Sequence, residues 1–185
     1  MTRAWPVPGI DPAEPTLDNA RRILRVRSAE FYSREGIVDD PTASEELHDL
    51  RISAKRLRYT IELFAHVLGP DANAAIGVVK DLQERLGDLH DADVRIALVA
   101  DELESLAAEH VRDLVVALAA ADIEWRRAIV ASALRPPIGD PRRGLVDLLA
   151  REIGKREFAY DRFLTGWRRA EDGGLRALLG RLAGD

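Results

Sequence analysis

His48, Arg51, Lys55 and Arg58 recur at helical spacing in the segment LHDLRISAKRLRY, residues 47–59. At 100° per residue on an α-helix, the four side chains share roughly an 80° arc. Cations held in such a row repel one another, and the repulsion is relieved where something anionic lies along it. The chemistry this spacing offers is capture of a polyanion. His48 gives the row a titratable member, because neighbouring cations lower an imidazole's affinity for a proton and a bound anion raises it. Arg56 points about 100° or more away from the row and ranks below the other cations.

A second row follows. Lys80, Gln83, Gly87, His90 and Asp91 fall within about a 100° arc of a helix. Gly87 in mid-helix costs about 1 kcal/mol relative to Ala. Close packing of a neighbouring helix, or room for a ligand or an incoming long side chain, would each give it a reason. Asp91 stands among donors, where a carboxylate can orient Arg or His side chains through charge-assisted hydrogen bonds. Glu62 is placed at i,i+4 from Arg58 for a similar or merely intrahelical pairing.

Helices must position both rows. Leu47, Leu50, Ala54, Leu57, Ile61, Phe64 and Leu68 form an apolar seam beside the first row. Four prolines and Gly9 make residues 1–16 an extended arm. Thr16 or Asp18 is positioned to cap a first helix to about residue 34, closed by Gly36. A second helix starts from Thr42 or Ser44 and stops at Leu68-Gly69-Pro70. The spacing predicts a third over 71–107, with Ile76, Val79, Leu82, Leu86, Leu89, Ile96 and Leu103 inside. A fourth, over 109–134, uses Val111, Leu114, Val115, Leu118, Trp125 and Ile129. Pro136, Pro137, Gly139 and Pro141 break the chain before a fifth over 142–169, which buries Leu145, Leu148, Leu149, Phe158, Phe163 and Trp167. Gly173-Gly174 precedes a short helix over 175–182. The expectation is all-α: an antiparallel bundle of five or six helices, forming one domain over 17–185. Trp5, Trp125 and Trp167 are expected to pack, and His66 and His110 to have no role.

The net charge of −5 argues at first against an anion binder, but its distribution reverses that. Residues 21–34 carry Arg21, Arg22, Arg25, Arg27 and Arg34 against Glu30 alone, whereas residues 91–124 hold nine acids and only Arg95 and Arg112. An acidic protein can still present a locally positive channel. The chain has no cysteine, which excludes disulfides and thiolate metal sites. No apolar run reaches the roughly 18 residues that span a bilayer, and no secretion-type leader is visible, so a cytoplasmic protein is expected.

The motif His48-x-x-Arg51-x-x-x-Lys55-Arg56-Leu57-Arg58-Tyr59, followed by Lys80-x-Leu82-Gln83-x-x-Leu86-Gly87-x-x-x-Asp91-x-x-Val94, resembles the CHAD domain, the conserved-histidine α-helical domain. The resemblance covers roughly residues 20–100. It implies an all-helical module that binds inorganic polyphosphate in a basic channel and accompanies polyphosphate-metabolising enzymes or granules without being a catalyst. Carried onto this chain, the motif histidine is His48 and the cations are Arg51, Lys55, Arg56 and Arg58. The second segment supplies Lys80 and Asp91, with Gln83 and His90 sharing that row, while Arg21, Arg22 and Arg25 resemble additional basic positions. Two repeats are usual in the family, and only one is clear here. The later half then supplies the other wall in degenerate form, or two chains pair as a homodimer.

Three other readings compete. A phosphorelay module would use His48 as acceptor, but Arg51, Lys55 and Arg58 crowd the face a receiver would need. Nucleic-acid binding lacks an aromatic platform apart from Tyr59. Metal chelation by His48, His90 and Asp91 is opposed by the flanking guanidinium groups. Carboxylates suited to metal-assisted phosphoryl transfer are too few, so no catalytic residue, metal or cofactor is expected.

Overall fold

The computed structural model describes residues 3–133 and 139–185, so Pro136, Pro137 and residue 134 lie outside the described residues. Six α-helices follow in order: α1 (Thr16–Tyr32), α2 (Ser44–Leu68), α3 (Asp71–Ala120), α4 (Ile123–Ala133), α5 (Pro141–Asp172) and α6 (Leu175–Ala183). A 3-10 turn, Glu35–Ile37, joins α1 to α2, and there is no strand among the described residues. The all-α expectation holds. Where one domain was expected, contacts gather into two compact units, residues 1–91 with 156–185, and residues 92–155.

Helix ends differ from expectation in instructive ways. No side chain caps α1, which starts directly after Pro15, and neither Thr16 nor Asp18 serves. Gly36 lies inside the 3-10 turn instead of closing α1. Residues 71–120 form one helix where two were expected, because Ala107-Ala108-Glu109 contains strong helix formers and no breaker. The actual stop follows Ala120. There the Asp122 carboxylate accepts the backbone N–H of Glu124 (3.1 Å) and Trp125 (2.9 Å), starting α4. Pro141 opens α5, and the preceding Asp140 accepts the Arg142 N–H at 2.9 Å.

The first unit contains the fully buried core. Leu47, Leu50, Ala54, Leu57 and Ile61 of α2 meet Val79, Leu82, Leu86 and Leu89 of α3 and Phe163 and Trp167 of α5. Phe31 joins from α1, its ring centroid 5.3 Å from that of Trp167. The α5 seam runs through Ala159, Tyr160, Phe163 and Trp167, while Phe158, expected inside, is 66% exposed. Arg85 of α3 reaches past Gly166 to the Arg162 carbonyl at 3.0 Å. A Cβ at 166 would stand 2.7 Å from the Arg85 Cδ, so glycine lets the arginine cross.

An ionic clamp joins α1 to α2. Glu30 is 3% exposed and accepts from Arg27 at 2.6 Å and from Arg56 at 2.7 Å. Arg34 pairs with Asp49 one element over, at 3.1 Å.

In the second unit, Val111, Val115 and Trp125 are exposed, contrary to the expected seam. There the strongly buried carboxylate of Glu152 is bonded to Arg95 (2.7 Å) and Lys155 (2.5 Å). No helix among the described residues is long and apolar enough to cross a membrane.

Candidate functional site

The two donor rows face each other. The Nδ1 atoms of His48 on α2 and His90 on α3 are 3.1 Å apart, and their ring centroids are 4.2 Å apart. Three residues along α2, Arg51 lies opposite Gly87, where a Cβ would stand 3.7 Å from the guanidinium Nε. These two contacts fix an antiparallel register. The same register brings Lys55 level with Gln83 and Arg58 level with Lys80. The result is a ladder of four rungs in the first unit, with nitrogen donors on nearly every upright.

Burial grades along the ladder. His48, Arg51, Arg58, Gln83 and His90 are half-buried, whereas Lys55 and Lys80 are exposed. Arg51 Nε, Arg58 Nε and Gln83 Oε1 are buried and have no hydrogen-bond partner among the described residues. Buried polar groups are satisfied in the great majority of cases, so three orphans on one ladder point to a ligand. Arg58 Nε lies 3.5 Å from Glu62, within ion-pair reach but misaligned for a hydrogen bond. Its guanidinium carbon also stands 4.7 Å from the Tyr59 ring centroid, with Lys55 Nζ at 5.7 Å. Lys80 has only a loose pairing with Glu84, at 3.8 Å.

The His48 imidazole is held below its ordinary pKa, first by burial and then by His90 and Arg51, with Asp49 pulling the other way. Uncharged, it contributes hydrogen bonds to the ladder without adding to the repulsion.

Gly87 faces the Arg51 side chain, but a Cβ there would make only ordinary contact with it. Because 3.7 Å is ordinary van der Waals contact, Gly87→Ala should be accommodated. The gain in helix propensity should then raise unfolding stability by about 0.5–1 kcal/mol, read from thermal denaturation. A loss of stability would mean that the arginine needs more room.

Other expected members lie elsewhere. Arg56 sets its guanidinium on Glu30, facing α1, because it projects from α2 away from the row. Arg22 pairs with Glu14, and Arg25 with Asp185 at 2.9 Å. Arg21 packs against Gly184, its Nε buried without a hydrogen bond. Acids at Glu14 and Asp185 take the charge of two of the three. Asp91 is exposed and pairs with no ladder cation among the described residues. Among the described residues no group of three or more His, Cys, Asp or Glu side chains gathers as for a metal.

One cation from the later half of the chain approaches the ladder face. Arg156 of α5 donates to Ser44 Oγ at 2.9 Å, and Ser44 lies one turn before His48 on the ladder face. Arg156 belongs to no motif frame, so only the packing of α5 on α2 reveals where it goes.

A family model, that of the CHAD domain, matches residues 2–100 of the chain. No curated protein and no solved structure matches it.

Proposed function

The chain belongs to the CHAD domain family, and from that premise we propose that it binds inorganic polyphosphate along the α2/α3 ladder without turning it over. The observation that carries this reading is the pair of half-buried arginines, Arg51 and Arg58, each with an orphaned Nε on a face shared with Lys55, Lys80 and two histidines. Guanidinium forks grip two phosphate oxygens at once, while the exposed lysines act as movable point charges. Arg156 extends the positive track at its His48 end. The role is a holding one, with a polyphosphate-metabolising enzyme or a polyphosphate granule as the setting.

The ladder supports this reading over its competitors. A phosphoryl acceptor needs a face clear for a docking receiver, whereas Arg51, Lys55 and Arg58 crowd the face that His48 shares. A base-stacking platform needs a free aromatic face, and the Tyr59 ring already has Arg58 and Lys55 over it.

Polyelectrolyte binding releases counterions, which gives the test. With four ladder cations engaged, the log-log slope of affinity against salt should be about −3. Long-chain polyphosphate should therefore bind about 60-fold more weakly at 200 mM than at 50 mM salt. Fluorescence titration against polyphosphate, RNA and DNA at equal phosphate concentration checks both slope and preference. Equal affinity for the nucleic acids would replace this reading with a general polyanion surface.

A further inference from the structure

We infer that His48 and His90 act as one proton-sharing pair that couples polyphosphate binding to the uptake of a single proton. The inference rests on the polyphosphate reading and adds its regulation. The carrying observation is geometric: two imidazoles from different helices, Nδ1 to Nδ1 at 3.1 Å, half-buried on the ladder face.

Counting protons on four ring nitrogens shows what the pair can do. In the uncharged pair, one Nδ1–H donates to the other Nδ1. The donor ring then has a bare Nε2, an acceptor that repels phosphate oxygen, and the acceptor ring carries Nε2–H. One added proton goes to that bare Nε2. Both Nε2 atoms are then donors, the pair carries one positive charge, and the Nδ1–H···Nδ1 bond is kept. A second added proton would put hydrogens on both Nδ1 atoms, face to face at 3.1 Å, and force the rings apart. The pair therefore accepts one proton readily and resists the next.

The surroundings set the direction. On α2, Arg51 opposes the added charge and Asp49 favours it, though Asp49 is itself paired with Arg34, just beyond α1. On α3, Asp91 follows His90 in the chain, and from α5 Arg156 approaches Ser44. Burial and Arg51 keep His48 uncharged in the free protein at neutral pH. A phosphate chain along the ladder reverses that balance. Affinity should rise as pH falls between the proton affinities of the free and bound pair, by at most tenfold per pH unit. It should be flat above the bound value and flat below the free one.

Two measurements separate this inference from the reading beneath it. In the ligand-free protein, NMR titration of the imidazole Cε1–H signals should show both rings answering to one shared proton, with a second entering only at lower pH. Two independent, ordinary titrations would overturn the inference whatever the protein binds. Calorimetry with long-chain sodium polyphosphate at pH 7, in two buffers of different ionisation heat, should return uptake of close to one proton. The double variant His48→Gln/His90→Gln should take up none. Tight binding with no proton uptake in the unsubstituted protein would overturn the coupling and leave the function standing. No binding at all would remove both, even if the shared titration persists.

Discussion

Arg51→Ala/Lys55→Ala/Arg58→Ala should weaken long-chain polyphosphate binding by about 1,000-fold or more at physiological salt while the helix content stays unchanged. Each charge-assisted contact is worth about 1.5 kcal/mol or more. Removing three of four should also flatten the salt slope from about −3 to about −1. The fold has little to lose, since Arg and Ala are both good helix formers. Two of the deleted guanidiniums have a buried Nε with no partner, so truncation relieves a desolvation cost. Stability should therefore hold or rise. Calorimetric titration beside circular dichroism reads both, and unchanged affinity would move the site off this face.

Glu30→Gln should do the reverse, lowering stability by about 3 kcal/mol with little effect on affinity. The carboxylate is almost fully buried and holds Arg27 and Arg56 at 2.6 and 2.7 Å. Neutralising it leaves two guanidiniums facing each other in a partly desolvated place, and breaking such a pair typically costs about 3–5 kcal/mol. The partial exposure of Arg56 argues for the lower end. Urea denaturation, which does not screen charge, is the measurement. Arg56→Ala should also destabilise, by less, because it removes one of the two cations along with the contact. Polyphosphate affinity per folded molecule should stay within about twofold for both variants. If Arg56→Ala instead cuts affinity as the ladder substitutions do, the division between clamp and ladder is wrong.

Each donor row was legible in the sequence, because helical periodicity alone puts His48, Arg51, Lys55 and Arg58 on one face. The apolar seam of α2 was legible for the same reason, and Leu47 to Ile61 are buried as expected. The pairing of the rows was not, since register between helices comes from the packing of Leu82, Leu86 and Leu89 against α2. Local spacing showed that Arg56 leaves the row but not that Glu30 awaits it. The α1 arginines mislead because a basic cluster says nothing about acids folded back from distant positions. Glu14 comes from the arm, and Asp185 comes from the end of the chain. In α3 the boundary expected near residue 108 falls on two alanines, yet alanine propagates a helix better than any other residue. The true junction had a readable signal in Asp122.

The common register of α2 and α3 has a consequence for how a long guest would sit. Successive uprights are spaced by about one turn, roughly 5 Å along the axis. The phosphorus-to-phosphorus repeat of a condensed phosphate is considerably shorter. Host and guest are incommensurate, so no single alignment satisfies every rung and many offsets come close. A chain on such a vernier would shuttle lengthwise without letting go, and longer chains would gain occupancy through the number of equivalent offsets.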